Sequence, residues 1–108
     1  MMEVDLIWRI KVAAGSRGIL VRQERDVIRC SHCNRMTSSY VMAGWPDLTL
    51  IGTKILYREI KTDTGRVSKS QEHIGAAIEW AESDWAVWRE EDYSGGKIAH
   101  ELDQIRMY

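Results

Sequence analysis

Phenylalanine is absent from this chain, and proline occurs once, at Pro46. Without phenylalanine, five tryptophans must supply much of the aromatic bulk of any core. No apolar run approaches the ~18 residues needed to span a bilayer, and the amino terminus shows no basic-then-apolar signal pattern. An intracellular, cytoplasmic protein with no membrane partner is therefore expected. Cysteine is scarce as well: Cys30 and Cys33 flank Ser31 and His32, half of a zinc ribbon with no second pair to complete it. A structural zinc site needs four ligands, and His73 and His100 lie far off, so the pair reads as reduced loop thiols, with zinc shared across a dimer as the one metal arrangement it suits. No repeat or low-complexity segment divides the 108 residues, which are enough for one domain with a single modest core.

Charge of one sign is not in excess either. A net charge of −1 excludes a global field that would announce a nucleic-acid binder. The distribution is less even. Arg9, Lys11, Arg17, Arg22, Arg25, Arg29 and Arg35 dominate the first third, and Lys54, Arg58, Lys61, Arg66 and Lys69 follow. Glu79, Glu82, Asp84, Glu90, Glu91, Asp92, Glu101 and Asp103 crowd the end. This pattern allows one basic face turned to a polyanion, or simply solvated charge.

What is present reads as an α/β fold, a mixed β-sheet flanked by helices in the order α-β-β-β-α-β-α. Residues 1–14 carry Glu3, Ile7, Ile10 and Ala14 at helical spacing with Val4 beside them, and residues 15–18 end that helix in turn chemistry. Ile19 begins a strand that runs raggedly toward Ile28. Residues 29–43 dissolve into polar and small residues, a candidate lid or DNA-contacting loop. Residues 47–51 and 55–61 are strands. Ser68 and Gln71 fit a capping box that opens a helix with Ile74, Ala77, Ile78 and Ala81 on one face and Gln71 at the start of that inward stripe. Residues 84–88 read as a strand buried on both faces. A turn over 94–96 precedes a last helix marked by Ile98, Leu102 and Ile105. Trp80, Trp85 and Trp88 are assigned to the core and Trp45 to substrate contact, and His73 is given no role.

The chemistry concentrates between Gly44 and Gln71. In a strand, residues two apart share a face, so Glu59 and Lys61 project together while Ile60 points the other way. A hairpin brings the start of one strand beside the end of the next, which delivers Asp47 to Glu59. Two adjacent carboxylates repel unless a positive charge sits between them, and Mg²⁺ or Mn²⁺ is the natural occupant, with the main-chain carbonyl of Ile60 as a third oxygen. The register is a test. A two-residue loop at 52–53 would set Asp47 on the face of Arg58, whereas an odd connection over 52–54 pairs Leu50 with Leu56 and Ile51 with Ile55 and sets 47 opposite 59. Lys61 then orients or deprotonates a metal-bound water, and Gln71 positions the water or the lysine. Arg66 and Lys69 flank this edge as candidate phosphate contacts.

Trp45-Pro46-Asp47, Glu59-Ile60-Lys61, Gln71 opening a helix and the strand Trp85-Ala86-Val87-Trp88 together resemble the PD-(D/E)XK nuclease superfamily. The form G-x-P-D-L, hairpin, E-x-K, G-x-x-S-x-x-Q is similar to its VRR-NUC, virus-type replication-repair, branch. The resemblance runs from Gly44 to Trp88, and beyond that by element order. It implies a restriction-endonuclease-like core in which Asp47, Glu59 and the Ile60 carbonyl hold Mg²⁺ or Mn²⁺ and Lys61 is the catalytic lysine. It also implies that Gln71 is the glutamine of the fourth motif, and that Glu3 is the first-helix glutamate some members carry near the metal. Arg35, Trp45, Arg66 and Lys69 become candidate DNA contacts. Small members act as homodimers on Holliday junctions, others on flaps, so branched or duplex DNA of the nucleoid or of a virus is the expected partner. A nucleic-acid-binding or interaction module that kept the fold without the chemistry is the competing class, and so is a flap or nicking nuclease.

Overall fold

The structure is a computed structural model that describes residues 2–24, 27–29, 36–38 and 44–108, with 27–29 and 36–38 through their backbone alone. Helix α1 (Glu3–Gly15) leads into β1 (Leu20–Gln23), and two short strands follow, β2 (Val27–Arg29) and β3 (Met36–Ser38). Next come β4 (Leu48–Ile51), β5 (Ile55–Lys61), α2 (Lys69–Trp80), β6 (Asp84–Arg89), α3 (Glu90–Ser94) and α4 (Lys97–Gln104). The result is an α/β fold with a four-stranded mixed sheet in the order β1-β4-β5-β6, flanked by helices. Strands β1, β4 and β5 are antiparallel neighbours, and β6 returns parallel to β5 through α2.

The expected element order holds for the main sheet and is corrected in two places. The segment 29–43, read as loop, contains β3 and the end of β2, which pair antiparallel as a separate two-stranded sheet. The signal was hidden because each strand is only three residues long, too short to show a period of two. The short helix α3 was also missed, since its Glu90-Glu91-Asp92 start carries no apolar stripe.

One core lies between the sheet and the pair α1 and α4. It joins Leu6, Ile7, Ile10 and Ala14 of α1 to Leu48 and Leu50 of β4, Leu56 and Ile60 of β5, Trp88 of β6, and Ile98 and Leu102 of α4. The opposite face is covered over β6 by α2, where Gly75 leaves room for the Trp85 ring, so close that a Cβ there would overlap it. Strand alternation separates the two tryptophans: Trp88 faces the core and Trp85 faces α2.

This corrects the expectation that Trp80, Trp85 and Trp88 are all core. Trp88 is fully buried, Trp85 is half-buried, and Trp80 is 90 % exposed because it falls on the outer face of the last turn of α2. Strand β6 is accordingly not buried on both faces, since of its residues only Trp88 is buried. Val4 also turns outward, at 64 % exposure, and Leu6 takes the inward place beside Ile7. Arg58, counted above with the basic surface, is buried at 1 % exposure on the core side of β5.

The hairpin register follows the odd connection. Leu50 pairs with Leu56 and Ile51 with Ile55, across the turn of residues 52–54. That turn is fixed from outside. Thr53 N–H donates to the Ile105 carbonyl at 2.9 Å, and a Cβ at Gly52 would overlap the same oxygen. Ile105, the residue that caps the end of α4, thus holds the chain reversal that sets which face each β5 side chain takes. No helix among the described residues is long and apolar enough to cross a membrane.

Candidate active site

The ladder between β4 and β5 ends at Leu48 opposite Arg58, so one step further along the same register brings Asp47 beside Glu59. Asp47 follows the fully buried Pro46 and caps the open end of β5: its Oδ2 accepts the Ile60 N–H at 2.9 Å. The N–H and C=O of one strand residue point to the same side. The Ile60 carbonyl therefore also opens toward Asp47, past the end of β4.

Glu59 is 1 % exposed, on the sheet face opposite Arg58 and Ile60. Its Oε1 accepts from Gln71 Nε2 at 2.9 Å and lies 3.9 Å from Lys61 Nζ. Its Oε2 is buried and meets no hydrogen-bond donor among the described residues. Burial pushes the Glu59 carboxyl up to about 9, helped by a hydrogen bond with the Asp47 carboxyl and by the charges of Asp47 and Glu3, against the pull of Lys61. Two carboxyls make a hydrogen bond only when one holds a proton. In the metal-free protein Glu59 is that holder.

Gln71 is placed by the start of α2. Ser68 accepts the Gln71 N–H at 3.2 Å while Gln71 Oε1 accepts the Ser68 N–H at 2.8 Å, the reciprocal capping box read from the sequence. With Oε1 committed to the cap, only Nε2 is left for Glu59, which fixes the amide orientation. One glutamine thus ties the helix N-terminus to the strand carboxylate.

The loop before Asp47 rests on the same helix turn. Gly44 has φ +93°, and a Cβ there would lie 2.5 Å from the Ser70 carbonyl carbon and 2.7 Å from the Gln71 nitrogen. Only glycine accommodates both the left-handed backbone and the close approach. Gly44→Ala is expected to push the 44–47 loop off α2 and separate Asp47 from Gln71, lowering the melting midpoint by roughly 10 °C from backbone strain plus overlap. A thermal melt checks it, and an unchanged midpoint would mean the loop does not rely on that contact.

The sequence reading also passed over Arg89, which lies opposite Lys61 in the parallel β5–β6 pair. Its Nη1 donates to the Thr62 and Gly65 carbonyls at 2.6 and 2.7 Å, pinning the loop that leaves Lys61. No sequence signal marked it, because the contact depends on strand order. Arg66 and Lys69 are both exposed, one in that loop and one at the first position of α2. Trp45 is half-buried with its ring 6.2 Å from that of Tyr57 at 85°. Arg35, Cys30 and Cys33 lie outside the described residues.

Asp47, Glu59, Lys61 and Gln71 therefore meet at one sheet edge, and Glu3 is near enough for its charge to act on Glu59. Among the described residues no three His, Cys, Asp or Glu side chains draw together into a metal-binding group. Two carboxylates and a carbonyl fit a hard divalent cation that keeps several waters, as Mg²⁺ does. The buried, donorless Glu59 Oε2 is the oxygen such a cation would satisfy. The chain matches no family model, no curated protein and no solved structure.

Proposed function

We propose that this chain is a divalent-metal-dependent, structure-selective DNA endonuclease of the VRR-NUC type, with a restriction-endonuclease-like core and a four-way junction or other branched DNA as substrate. The observation that carries the reading is the pair Asp47 and Glu59, held side by side, with Glu59 Oε1 between Lys61 and Gln71 and its buried Oε2 left without a donor among the described residues. The mixed sheet, with E-x-K on a central strand and the glutamine on the helix that follows, supports it.

In this reading Asp47, Glu59 and the Ile60 carbonyl hold Mg²⁺ or Mn²⁺, which when bound supplies a Lewis acid for the phosphate and an acidified water. Lys61 sits on the same face as Glu59, where its nitrogen orients the attacking water and offsets the charge that builds on phosphorus oxygens. Gln71 keeps Glu59 aimed. Arg66 and Lys69, both exposed, meet the phosphate backbone. Action on a symmetric junction requires two copies, so the enzyme works as a homodimer.

Cleavage of a labelled four-way junction and of a matched linear duplex, with Mg²⁺, Mn²⁺ or chelator, tests the proposal. The junction is cut with either metal and not with chelator, and Asp47→Ala and Lys61→Ala both lose that activity. Metal-independent cutting, or full activity in both variants, would refute it.

A further inference from the structure

We infer that Trp45 and Tyr57 form a stacking platform for one unpaired nucleobase beside the scissile phosphate, so that the DNA taken by this site carries an unpaired nucleotide at the point of cleavage. The inference rests on the nuclease reading and names the feature of the substrate that the site selects. Each carboxylate has an aromatic residue two positions upstream: Trp45 before Asp47, and Tyr57 before Glu59. On β5 that spacing puts Tyr57 and Glu59 on one face. The two aromatic residues converge as the two carboxylates do, their rings in an edge-to-face pair 6.2 Å apart at 85°.

The geometry suits a base. An edge-to-face pair leaves at least one ring with both π-faces clear of the other, whereas a stacked pair would use up a face of each. Both residues are half-buried, so neighbours hold the rings while part of their surface stays open. Trp45 is further anchored through Gly44, packed on the first turn of α2. Tyr57 stands about 7 Å along the strand from Glu59. Within a duplex both faces of a base are covered by its neighbours, so only an unstacked base offers a face to an aromatic ring. A base on this platform, with the adjoining phosphate at the carboxylates, has left the duplex stack. The row across the sheet at Tyr57 continues through Thr49 to Arg22, an exposed cation only loosely paired with Glu24 at 3.8 Å and so available to the displaced strand's phosphates. A flap and an opened junction crossover both offer such a nucleotide, and continuous duplex does not.

The test needs no cleavage. In chelator, protein is added to flap DNA with 2-aminopurine at the scissile nucleotide and to a matched duplex, and fluorescence and affinity are both read. Wild type quenches the flap probe by stacking. Tyr57→Leu and Trp45→Leu lose the quench and bind the flap roughly tenfold more weakly with duplex affinity unchanged, while Tyr57→Phe behaves as wild type. Trp45→Leu lies in a loop, so it carries the test if Tyr57→Leu folds poorly. An undiminished quench in the leucine variants, or equal losses for flap and duplex, would overturn the platform. Cleavage without a quench would remove this inference alone, and a quench without cleavage by any metal would remove the nuclease reading and leave the stacking.

Discussion

Glu59→Gln is expected to silence cleavage and at the same time make the metal-free protein more stable. The loss of rate follows from the charge removed. A neutral amide removes one of the two negative charges that would hold a divalent cation beside Asp47, and forfeiting the several kcal/mol such an ion contributes amounts to roughly a thousandfold or more. The gain in stability follows from the same burial. Glu59 holds its proton up to about 9 in the fold, against an ordinary 4.5. Between those values the unfolded chain is ionised and the folded chain is not, so stability falls as pH rises through that window. Below about 4.5 both states are protonated and the penalty vanishes.

Glutamine removes the penalty while keeping both contacts: its Oε1 accepts from Gln71 and its amide donates to Asp47 where a proton was needed. Allowing for solvent relaxation around the charged form, the advantage at pH 8 is about 2 kcal/mol. This corresponds to a rise of roughly 10 °C in the melting midpoint. The difference between variant and wild type closes toward pH 5. Mg²⁺ at a hundred times its dissociation constant adds about 2.7 kcal/mol to wild type and nothing to the variant. Melts at pH 5 and 8, with and without Mg²⁺, decide it. A pH-independent gap, or an equal Mg²⁺ response in both proteins, would sink the two-carboxylate site.

The register on which that site depends was legible because it is written in apolar pairs. Leu50 with Leu56 and Ile51 with Ile55 can meet only across an odd turn, and Gly52 supplies the close approach. Gln71 was legible through its capping box, a pattern confined to four residues. What escaped depends on which elements become neighbours. Trp80 and Trp88 are chemically alike, and only the position of α2 over β6 and of α1 and α4 beneath it makes one 90 % exposed and the other fully buried. Arg89 and Gly44 act through contacts 24 and 26 residues away in sequence, to Gly65 and Ser70. Tyr57 read as a strand-former, and its meeting with Trp45 came only from the hairpin closing. Composition suggested a basic surface, but it could not tell which cations the fold would take inside.

Arg58 is the clearest of these, and removing it is expected to cost more stability than any other substitution considered above. Its guanidinium, 1 % exposed, donates to the Asp84 carbonyl at 3.0 Å and pairs with the Asp84 carboxylate at 2.9 Å and with Glu101 at 2.8 Å. It also lies 5.1 Å from the Trp88 ring, whose Nε1 donates to the other oxygen of Glu101 at 2.9 Å. One side chain thus joins β5, β6 and α4. Arg58→Ala leaves Glu101 facing the core with only an indole for a partner, which costs about 3–5 kcal/mol. Against a total stability of about 5–15 kcal/mol, the melting midpoint falls by roughly 15 °C or more.

Most of that cost is the stranded carboxylate, so Arg58→Met combined with Glu101→Gln should recover much of it. The amide still accepts from Trp88, and methionine refills the space of the arginine stem. A loss no larger than the ~0.5 kcal/mol of a surface change would refute the network. Alternation along β5 makes the functional outcome specific. Arg58 points into the core and Glu59 out of it, so the double variant, assayed below its own midpoint, retains cleavage. Loss of activity with the fold intact would mean that the buried cation reaches the site through the strand.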